Sequence, residues 1–248
     1  GNIALTVQLG NLVLDGLISA HGSGTVTVNV VAGDLTTGVN ANTSSTSGAV
    51  SLTADNITET VDLTTGGTLD LIARTNLVIL DGLTFTASTV SLDGAIQIGS
   101  SAAEITDLTI VGNLIFNANS QINAEIYGLT AGTLHDVITI SGTITIENGA
   151  QLTITGSFTP TGGDAVGLFV GTSPVTGTFA SLPEGEIIVD NYGGSGLPAI
   201  VSYAGNKVTI VMGPEAKVSV NDVSVVEGAT ANGTTTFSFT VSRDNNLT

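Results

Sequence analysis

A short strand, a glycine and a second short strand recur along most of this sequence, and no other feature limits the possible folds as strongly. The unit appears as NLVLDGLIS (11–19), NLVILDGLTF (76–85), TVSLDGAIQI (89–98), DLTIVGNLIF (107–116), VITISGTITI (137–146) and QLTITGSFT (151–159). Within each half of the unit, apolar and polar residues alternate, which is typical of a strand with one buried face. No apolar repeat of the helical period is as long as a helix needs, so we predict an all-β protein.

The glycines of these units fall at positions 16, 82, 94, 112, 142 and 156. Their spacing is irregular, but recurrence of the unit predicts stacked copies of one supersecondary element. In a parallel β-solenoid, each coil carries short strands joined by tight bends, and glycine adopts the backbone angles that such bends require. The alternative is an antiparallel sandwich, which needs hairpin turns at regular intervals. Asn-Gly occurs only at Asn148-Gly149 and Asn232-Gly233, so we favour the solenoid.

Composition predicts a core of small aliphatic side chains. Hydrophobic residues make up 42% of the 248 residues, yet only 4% are aromatic and there is no Trp. Val, Ile, Leu and Ala suit a narrow interior of repeated layers better than a wide sandwich with irregular pockets.

The charge balance excludes several classes of partner. Four basic residues face 21 acidic ones, which gives a net charge of −17. Such a chain has no cationic patch that could follow a phosphate backbone, so we expect no nucleic-acid partner.

No apolar run approaches the roughly 20 residues of a membrane-spanning helix, so we expect no membrane insertion. Cysteine is absent, which excludes disulfides and thiolate metal sites and is compatible with an extracellular location.

Three stretches depart from the repeat. The polar, low-complexity segment 36–51 is predicted to be a surface loop that projects from one coil. Residues 182–212 end in a strand pair whose turn lies near Gly205-Asn206, and Tyr192 and Tyr203 are expected to cover the open carboxyl end of the solenoid. Residues 213–216 read as a linker. We therefore predict a parallel β-helix over 1–212, with capping strands over about 160–212, followed by a second segment, 213–248.

The repeats resemble the right-handed β-helices of filamentous-haemagglutinin-like and autotransporter-type bacterial surface proteins. The units NLVLDG, TVSLDG, DLTIVG and QLTITG carry this resemblance over residues 1–160. Residues 135–212 are similar to the carboxyl end of autotransporter-associated β-strand repeat passengers. The positions that match are Asp136, Gly142, Gly177, Phe179, Tyr203, Gly205, Asn206 and Val208. The resemblance implies a right-handed parallel β-helix at the bacterial cell surface.

The tail resembles the first strands of a Calx-β domain, an immunoglobulin-like β-sandwich. Its matching positions are Val218, Val220, Asp222, Glu227, Gly228, Phe237, Phe239 and Val241. The resemblance implies calcium ligands at Glu227 and Asp222, although the later acidic loops of that family have no counterpart. About a third of such a domain is present, so we expect either a fragment of a longer protein or strands that complete a sheet in a neighbouring subunit.

Residues with catalytic chemistry are few. Arg74 is the one cation in the 1–160 repeats, whereas β-helical lyases need a base beside several carboxylates. Asp15, Asp81 and Asp93 each precede a repeat glycine and are interpreted as turn residues with local hydrogen bonds. His21 and His135 are interpreted as solvent-facing bend residues. We therefore predict no catalytic residues and no required cofactor, calcium being the one ion implied.

We expect a structural, non-catalytic segment of a bacterial cell-surface or secreted protein, serving as a stalk, an adhesin or a filament subunit. Two alternatives stay open. One is a β-helix that binds or degrades polysaccharide, which three or more carboxylates beside Arg74 would indicate. The other is a self-assembling filament whose 213–248 tail docks on the next subunit. The expected partners are thus further copies of the chain or extracellular polysaccharide.

Overall fold

The computed structural model describes residues 1–99, 104–213, 217–220 and 241–244, the last two ranges by their backbone alone. Within these ranges the protein is almost entirely β-structure, and its one helix is a 3₁₀ turn at Tyr192–Gly194. The first strands are β1 (Ile3–Val7), β2 (Leu12–Leu14), β3 (Leu17–Ala20), β4 (Val26–Val30), β5 (Asp34–Thr37), β6 (Asn42–Ser45), β7 (Val50–Glu59), β8 (Leu63–Thr65), β9 (Thr68–Ile79) and β10 (Leu83–Ile98). The remaining strands are β11 (Asp107–Phe116), β12 (Gln121–Glu125), β13 (Val137–Ile140), β14 (Ile144–Ile146), β15 (Gln151–Thr155), β16 (Ala165–Val170), β17 (Ile187–Val189), β18 (Ala199–Ser202), β19 (Lys207–Met212), β20 (Lys217–Val220) and β21 (Val241–Asp244).

The chain winds through three parallel sheets in turn, which confirms the prediction of a parallel β-helix. The first sheet stacks β1, β4, the first halves of β7 and β9, the middle of β10, the second half of β11, and β14. The second stacks β2, β5, the second halves of β7 and β9, the end of β10, then β12 and β15. The third stacks β3, β6, β8, the start of β10, the first half of β11, β13 and β16.

Glycines mark corners between these sheets, as the repeat predicts. In β10 the pairing register shifts between Asp93 and Ala95, where Gly94 has φ 112° and the strand passes from the first sheet to the second. Gly112 has φ 143° where β11 passes from the third sheet to the first. Asn148-Gly149 is also a corner and not a hairpin, because β14 and β15 pair with β11 and β12 and belong to different sheets.

Inward side chains form columns of like residues that run along the axis. Val26, Val50 and Leu69 occupy successive coils of the first sheet, and each is fully buried. The few aromatic side chains gather towards the carboxyl end, where the rings of Phe116 and Phe169 lie 5.0 Å apart. Stacking of small aliphatic side chains therefore fills the interior, in agreement with the composition.

The prediction of a surface loop over 36–51 is wrong. This segment contains the end of β5, all of β6 and the start of β7, so it forms part of the coil itself. Ser45 is buried because its hydroxyl donates to the Gly24 carbonyl (2.5 Å) and accepts from the Gly48 N–H (2.9 Å). Small hydroxyl side chains can enter the core where backbone groups at a bend satisfy them, so low hydrophobicity was a misleading signal.

Antiparallel strands follow the last coil. β16 pairs with β13 on one side and antiparallel with β19 on the other, so β19 occupies the place of a further parallel strand. β18 pairs with β19 across a turn at Gly205-Asn206, which confirms that prediction, and β17 pairs with β18. Tyr192 is buried, and its hydroxyl donates to the Ile126 carbonyl and lies 3.3 Å from the Thr155 carbonyl.

Beyond residue 213, the described backbone consists of β20 and β21, which pair antiparallel. Asp222 and Glu227 lie outside the described residues, and the Calx-β resemblance stays a prediction. The predicted division at residues 212 and 213 likewise stays a prediction.

We expect Gly112→Ala to lower the free energy of unfolding by at least about 2 kcal/mol. The new Cβ would overlap the Ala87 carbonyl oxygen of the preceding coil, at a positive φ that disfavours side chains. Gly16→Ala is the matched control, because Gly16 lies outside the positive-φ region and nothing lies within 4 Å of an added Cβ. Urea unfolding should separate the two variants, and equal midpoints would contradict the assigned corner.

We expect Tyr192→Phe to lower the free energy of unfolding by about 1–2 kcal/mol, because the buried Ile126 carbonyl loses its donor. Tyr127→Phe serves as the control, since the Tyr127 side chain is 39% exposed. Thermal unfolding of both variants tests this contact, and an unchanged midpoint for Tyr192→Phe would contradict it.

Candidate functional site

An open groove lies at the corner between the first and second sheets, centred on Ala95. It consists of two adjoining cavities of about 220 Å³ and 510 Å³ that share Ala95 and Gln121 in their walls. The smaller cavity is lined by Asn76, Ala95, Ile96, Gln97, Gln121, Ile122, Asn123, Gln151 and Thr153. The larger is lined by Ile72, Ala73, Arg74, Thr75, Asp93, Gly94, Ala95, Asn119 and Gln121. We call these two cavities together the Ala95 groove.

The groove exists because one outward column of the second sheet changes from long side chains to a methyl group. Along this column the register places Asn56, Asn76, Ala95, Gln121 and Gln151 on successive coils. Neighbouring strands lie about 4.8 Å apart, so a missing amide at one coil leaves a gap between the side chains above and below. Ala95 thus forms the floor, and the amides on both sides form the walls.

Before the groove, the same column is closed by its own hydrogen bonds. The Asn56 amide donates to Asp34 Oδ1 (2.6 Å), and the Asn76 amide donates to Asn56 Oδ1 (2.9 Å). The Asp34 N–H in turn donates to Asn11 Oδ1 (3.0 Å). This ladder ends at Asn76, because Ala95 offers no polar atom to continue it.

Arg74 lies at the edge of the groove and is held by earlier coils. Its guanidinium donates to Asp55 Oδ1 (3.0 Å), to the Val30 carbonyl (3.0 Å) and to Asn29 Oδ1 (3.3 Å). The Gly33 N–H and Arg74 together hold the pKa of the Asp55 carboxyl below its ordinary value. Asp55 is the one carboxylate that forms an ion pair with Arg74 within the described residues, and Asp93 lines the same cavity as Arg74.

A second group of polar side chains is buried where β12 meets the start of β13. Asp136 accepts the Thr106 N–H at Oδ1 (3.0 Å) and the Glu125 N–H at Oδ2 (2.8 Å), so each of its oxygens has a backbone donor. Burial, a hydrogen bond to Asp136 and the charge of Asp136 all raise the pKa of Glu125. The pKa of Glu125 rises to about 9, so this carboxyl is protonated at neutral pH.

Glu59 is a further buried carboxyl, inside the coil and away from the groove. Its Oε2 accepts the Thr37 hydroxyl (3.0 Å), whereas its Oε1 has no partner in the part of the chain that the structure describes. Burial raises the pKa of Glu59 to about 7. With no exposed surface, this carboxyl cannot touch a solute and affects stability alone.

The interpretation of His135 as a solvent-facing bend residue is wrong, while His21 is exposed as predicted. His135 is only 2% exposed, and its Nδ1 lies 3.1 Å from the Gly128 carbonyl oxygen. The segment 126–136 folds back on itself, through the bond from the Tyr127 N–H to the Leu134 carbonyl, and encloses the ring. Burial lowers the pKa of His135 and favours its neutral form.

The aspartates at the repeat glycines bond to the following coil, not locally as predicted. Asp15 accepts from the Asn40 N–H (3.0 Å), and Asp81 accepts from the Asp107 N–H (3.0 Å). Asp93 accepts the Asn119 amide at 3.4 Å. These side chains therefore connect neighbouring coils at the corners, because the next coil is as close as the residue's own turn.

The metal prediction at Asp222 and Glu227 lies outside the described residues and stays a prediction. Within residues 1–99 and 104–213, no three His, Asp or Glu side chains are grouped as metal ligands. In the same ranges no helix is long and apolar enough to cross a membrane. Comparison with models of known protein families and with curated proteins finds no match.

Sequence reasoning missed the Ala95 groove and the Glu125–Asp136 pair. Asn76, Gln121 and Gln151 lie far apart in sequence, so only the stacking register makes them neighbours. Glu125 follows the buried Ala124 and should face solvent by strand alternation, but it is buried, and Asp136 lies beside it. Of these residues only Asp136 stands out in the sequence, as the first matching position in the resemblance over residues 135–212.

We expect the free energy of unfolding to decrease as pH rises from the pKa of Glu59, about 7, to that of Glu125, about 9, and Glu59 adds to the slope only at the lower end of this range. The folded state keeps the Glu125 proton, whereas the unfolded chain releases it at the lower, ordinary carboxyl pKa. The decrease should reach up to about 1.4 kcal/mol per pH unit. Glu125→Gln keeps a donor towards Asp136 and should remove this slope, which urea unfolding at several pH values measures.

Two variants accompany this test. Asp136→Asn should lower the free energy of unfolding by about 2 kcal/mol or more. One of the two buried N–H groups would then face the amide nitrogen of Asn, which cannot accept a hydrogen bond. Glu186→Gln, at an exposed position, should leave the slope as it is. Equal slopes for the wild type and Glu125→Gln would exclude Glu125 as the source of this pH dependence.

Proposed function

We propose that this chain is a structural, non-catalytic β-helical segment of a bacterial cell-surface or secreted protein, which serves as a spacer. The observation that carries the proposal is the unbroken parallel pairing of coil upon coil in all three sheets. In the first sheet, Ile3 pairs with Val26, Val26 with Val50, and Val50 with Leu69. Each coil adds about 4.8 Å along the axis, so length comes from repetition and not from a larger core.

Hydrogen bonds between coils support a load-bearing role. Arg74 reaches Asp55 on the preceding coil and Val30 on the coil before that, so one side chain joins three coils. Asp15 and Asp81 bind backbone N–H groups of the coil that follows each of them. Such contacts oppose separation of neighbouring coils at the corners, where no sheet runs.

The placement of the titratable groups also supports a non-catalytic role. Glu125 and Asp136 are 1% and 4% exposed, and Glu59 is fully buried, so a substrate cannot reach the carboxyls with the most perturbed surroundings. Arg74 is engaged by an ion pair and two further hydrogen bonds. Catalysis by these residues would require the coil to open.

The solvent-facing chemistry supports an extracellular location. Solubility rests on Thr, Ser, Asn and acidic side chains, with a net charge of −17 and no cysteine. A chain without thiols needs no reducing compartment, and its negative charge keeps it apart from anionic membrane surfaces.

An antibody raised against the purified full chain tests the location. We expect it to label intact cells of the source bacterium, and we expect external protease to remove that label. Labelling that requires cell lysis would contradict the proposal.

A turnover assay tests the non-catalytic part. Incubated with a panel of neutral and acidic polysaccharides, the purified chain should release neither reducing ends nor unsaturated uronates above a heat-denatured control. Release that disappears in Arg74→Ala would replace this proposal by a polysaccharide-degrading function.

Sedimentation of the chain with and without residues 213–248 would detect polymers that depend on the tail.

A further inference from the structure

The Ala95 groove contains amides that the protein itself does not use. Among the described residues, the side chains of Gln121 and Gln151 make no hydrogen bond, and both are exposed. Asn76 donates through its amide nitrogen to Asn56, which leaves its Oδ1 open on the groove side. Each free amide carries both a donor and an acceptor.

The other walls of the groove are held in place. Asn123 donates to Glu125 Oε1 (2.9 Å), and its Oδ1 accepts from the Thr153 hydroxyl (3.2 Å). Asn119 is bonded to Asp93, and Gln97 donates to the Gly99 carbonyl (3.1 Å). These side chains are already held by hydrogen bonds, so binding restricts chiefly the free side chains of Gln121 and Gln151.

The side chains that line the groove determine which class of ligand can bind there. Carboxamides and the hydroxyls of Thr75 and Thr153 predominate. The one guanidinium present is engaged by Asp55, and the one carboxylate, Asp93, accepts from Asn119. A polyanion meets no free cation here and is repelled by a chain of net charge −17. A hydrophobic ligand meets no aromatic side chain in either cavity. An uncharged ligand rich in hydroxyl groups fits this lining, because a hydroxyl both donates and accepts hydrogen bonds, as a carboxamide does.

The shape of the groove favours a linear polymer. The smaller cavity crosses four successive coils, from Asn76 to Gln151, and the larger cavity adjoins it on the corner side around Ala95. Gln121 and Gln151 stand on successive coils, about 4.8 Å apart along the axis, which is close to the length of one sugar ring. A chain of sugars lying along the axis could therefore present a hydroxyl pair to each coil.

From these observations we propose that the Ala95 groove binds uncharged polysaccharide, with the free amides of Gln121 and Gln151 as principal contacts and Ala95 as the floor. The proposal goes beyond a spacer role and does not depend on it. Because no aromatic side chain lines the groove, we expect a single groove to bind the polymer weakly.

Calorimetric or NMR titration of the full chain with neutral hexasaccharides of β-1,4-glucan, β-1,3-glucan, β-1,4-mannan and chitin tests the site. At least one should bind with a Kd below about 10 mM. The double variant Gln121→Ala/Gln151→Ala should weaken that binding at least about tenfold. Ala95→Gln, which keeps both amides but fills the floor, should weaken it to a similar degree.

Gln8→Ala is the matched control, because Gln8 is exposed on the first coil and away from the groove. It should bind as the wild type does, and circular dichroism should show all variants folded. Three results would overturn the proposal: no neutral hexasaccharide binds, the groove variants bind as well as Gln8→Ala does, or hexagalacturonate binds more tightly than every neutral probe. Since none of these readouts measures location or turnover, failure here is separable from failure of the spacer role.

Discussion

Hydrogen bonding between the backbones of successive coils is the interaction on which the rest of this structure depends. Every coil must return to the same three sheets in register, because a strand that arrives out of register leaves buried N–H and C=O groups unpaired. The corners meet this demand with glycine, as at Gly94 and Gly112, where the backbone takes positive φ and passes close to the coil below. Both the aliphatic columns inside and the polar columns outside are consequences of that register.

Register also explains why polar groups persist in so narrow an interior. Backbone pairing joins each coil only to its two neighbours, so the desolvation of the buried Glu59 carboxyl beside Thr37 destabilises the fold locally, and the aliphatic columns above and below offset it. The Glu125–Asp136 pair has a different setting, since the 126–136 segment folds back, brings Asp136 beside Glu125 and leaves His135 buried. These groups make stability depend on pH without giving a solute access to them.

On the outer surface, the same register turns single residues into continuous features. Asparagines that meet on successive coils satisfy one another, as Asn56 and Asn76 do. The change to alanine at position 95 interrupts the ladder and leaves the next amides free. A spacer and a binding groove are therefore compatible, because the groove uses only outward positions that the coil does not need.

The sequence alone determined the all-β class, the parallel coils and the aliphatic core, because strand alternation and bend glycines are local signals that each coil repeats. It failed for segment 36–51 and for His135, since burial there depends on backbone partners and on a covering segment that composition does not reveal. Only the tertiary structure decided which outward residues become neighbours. Coil lengths vary, so the distance in sequence from Asn76 to Ala95, and from Ala95 to Gln121, follows no fixed period that could be read in advance.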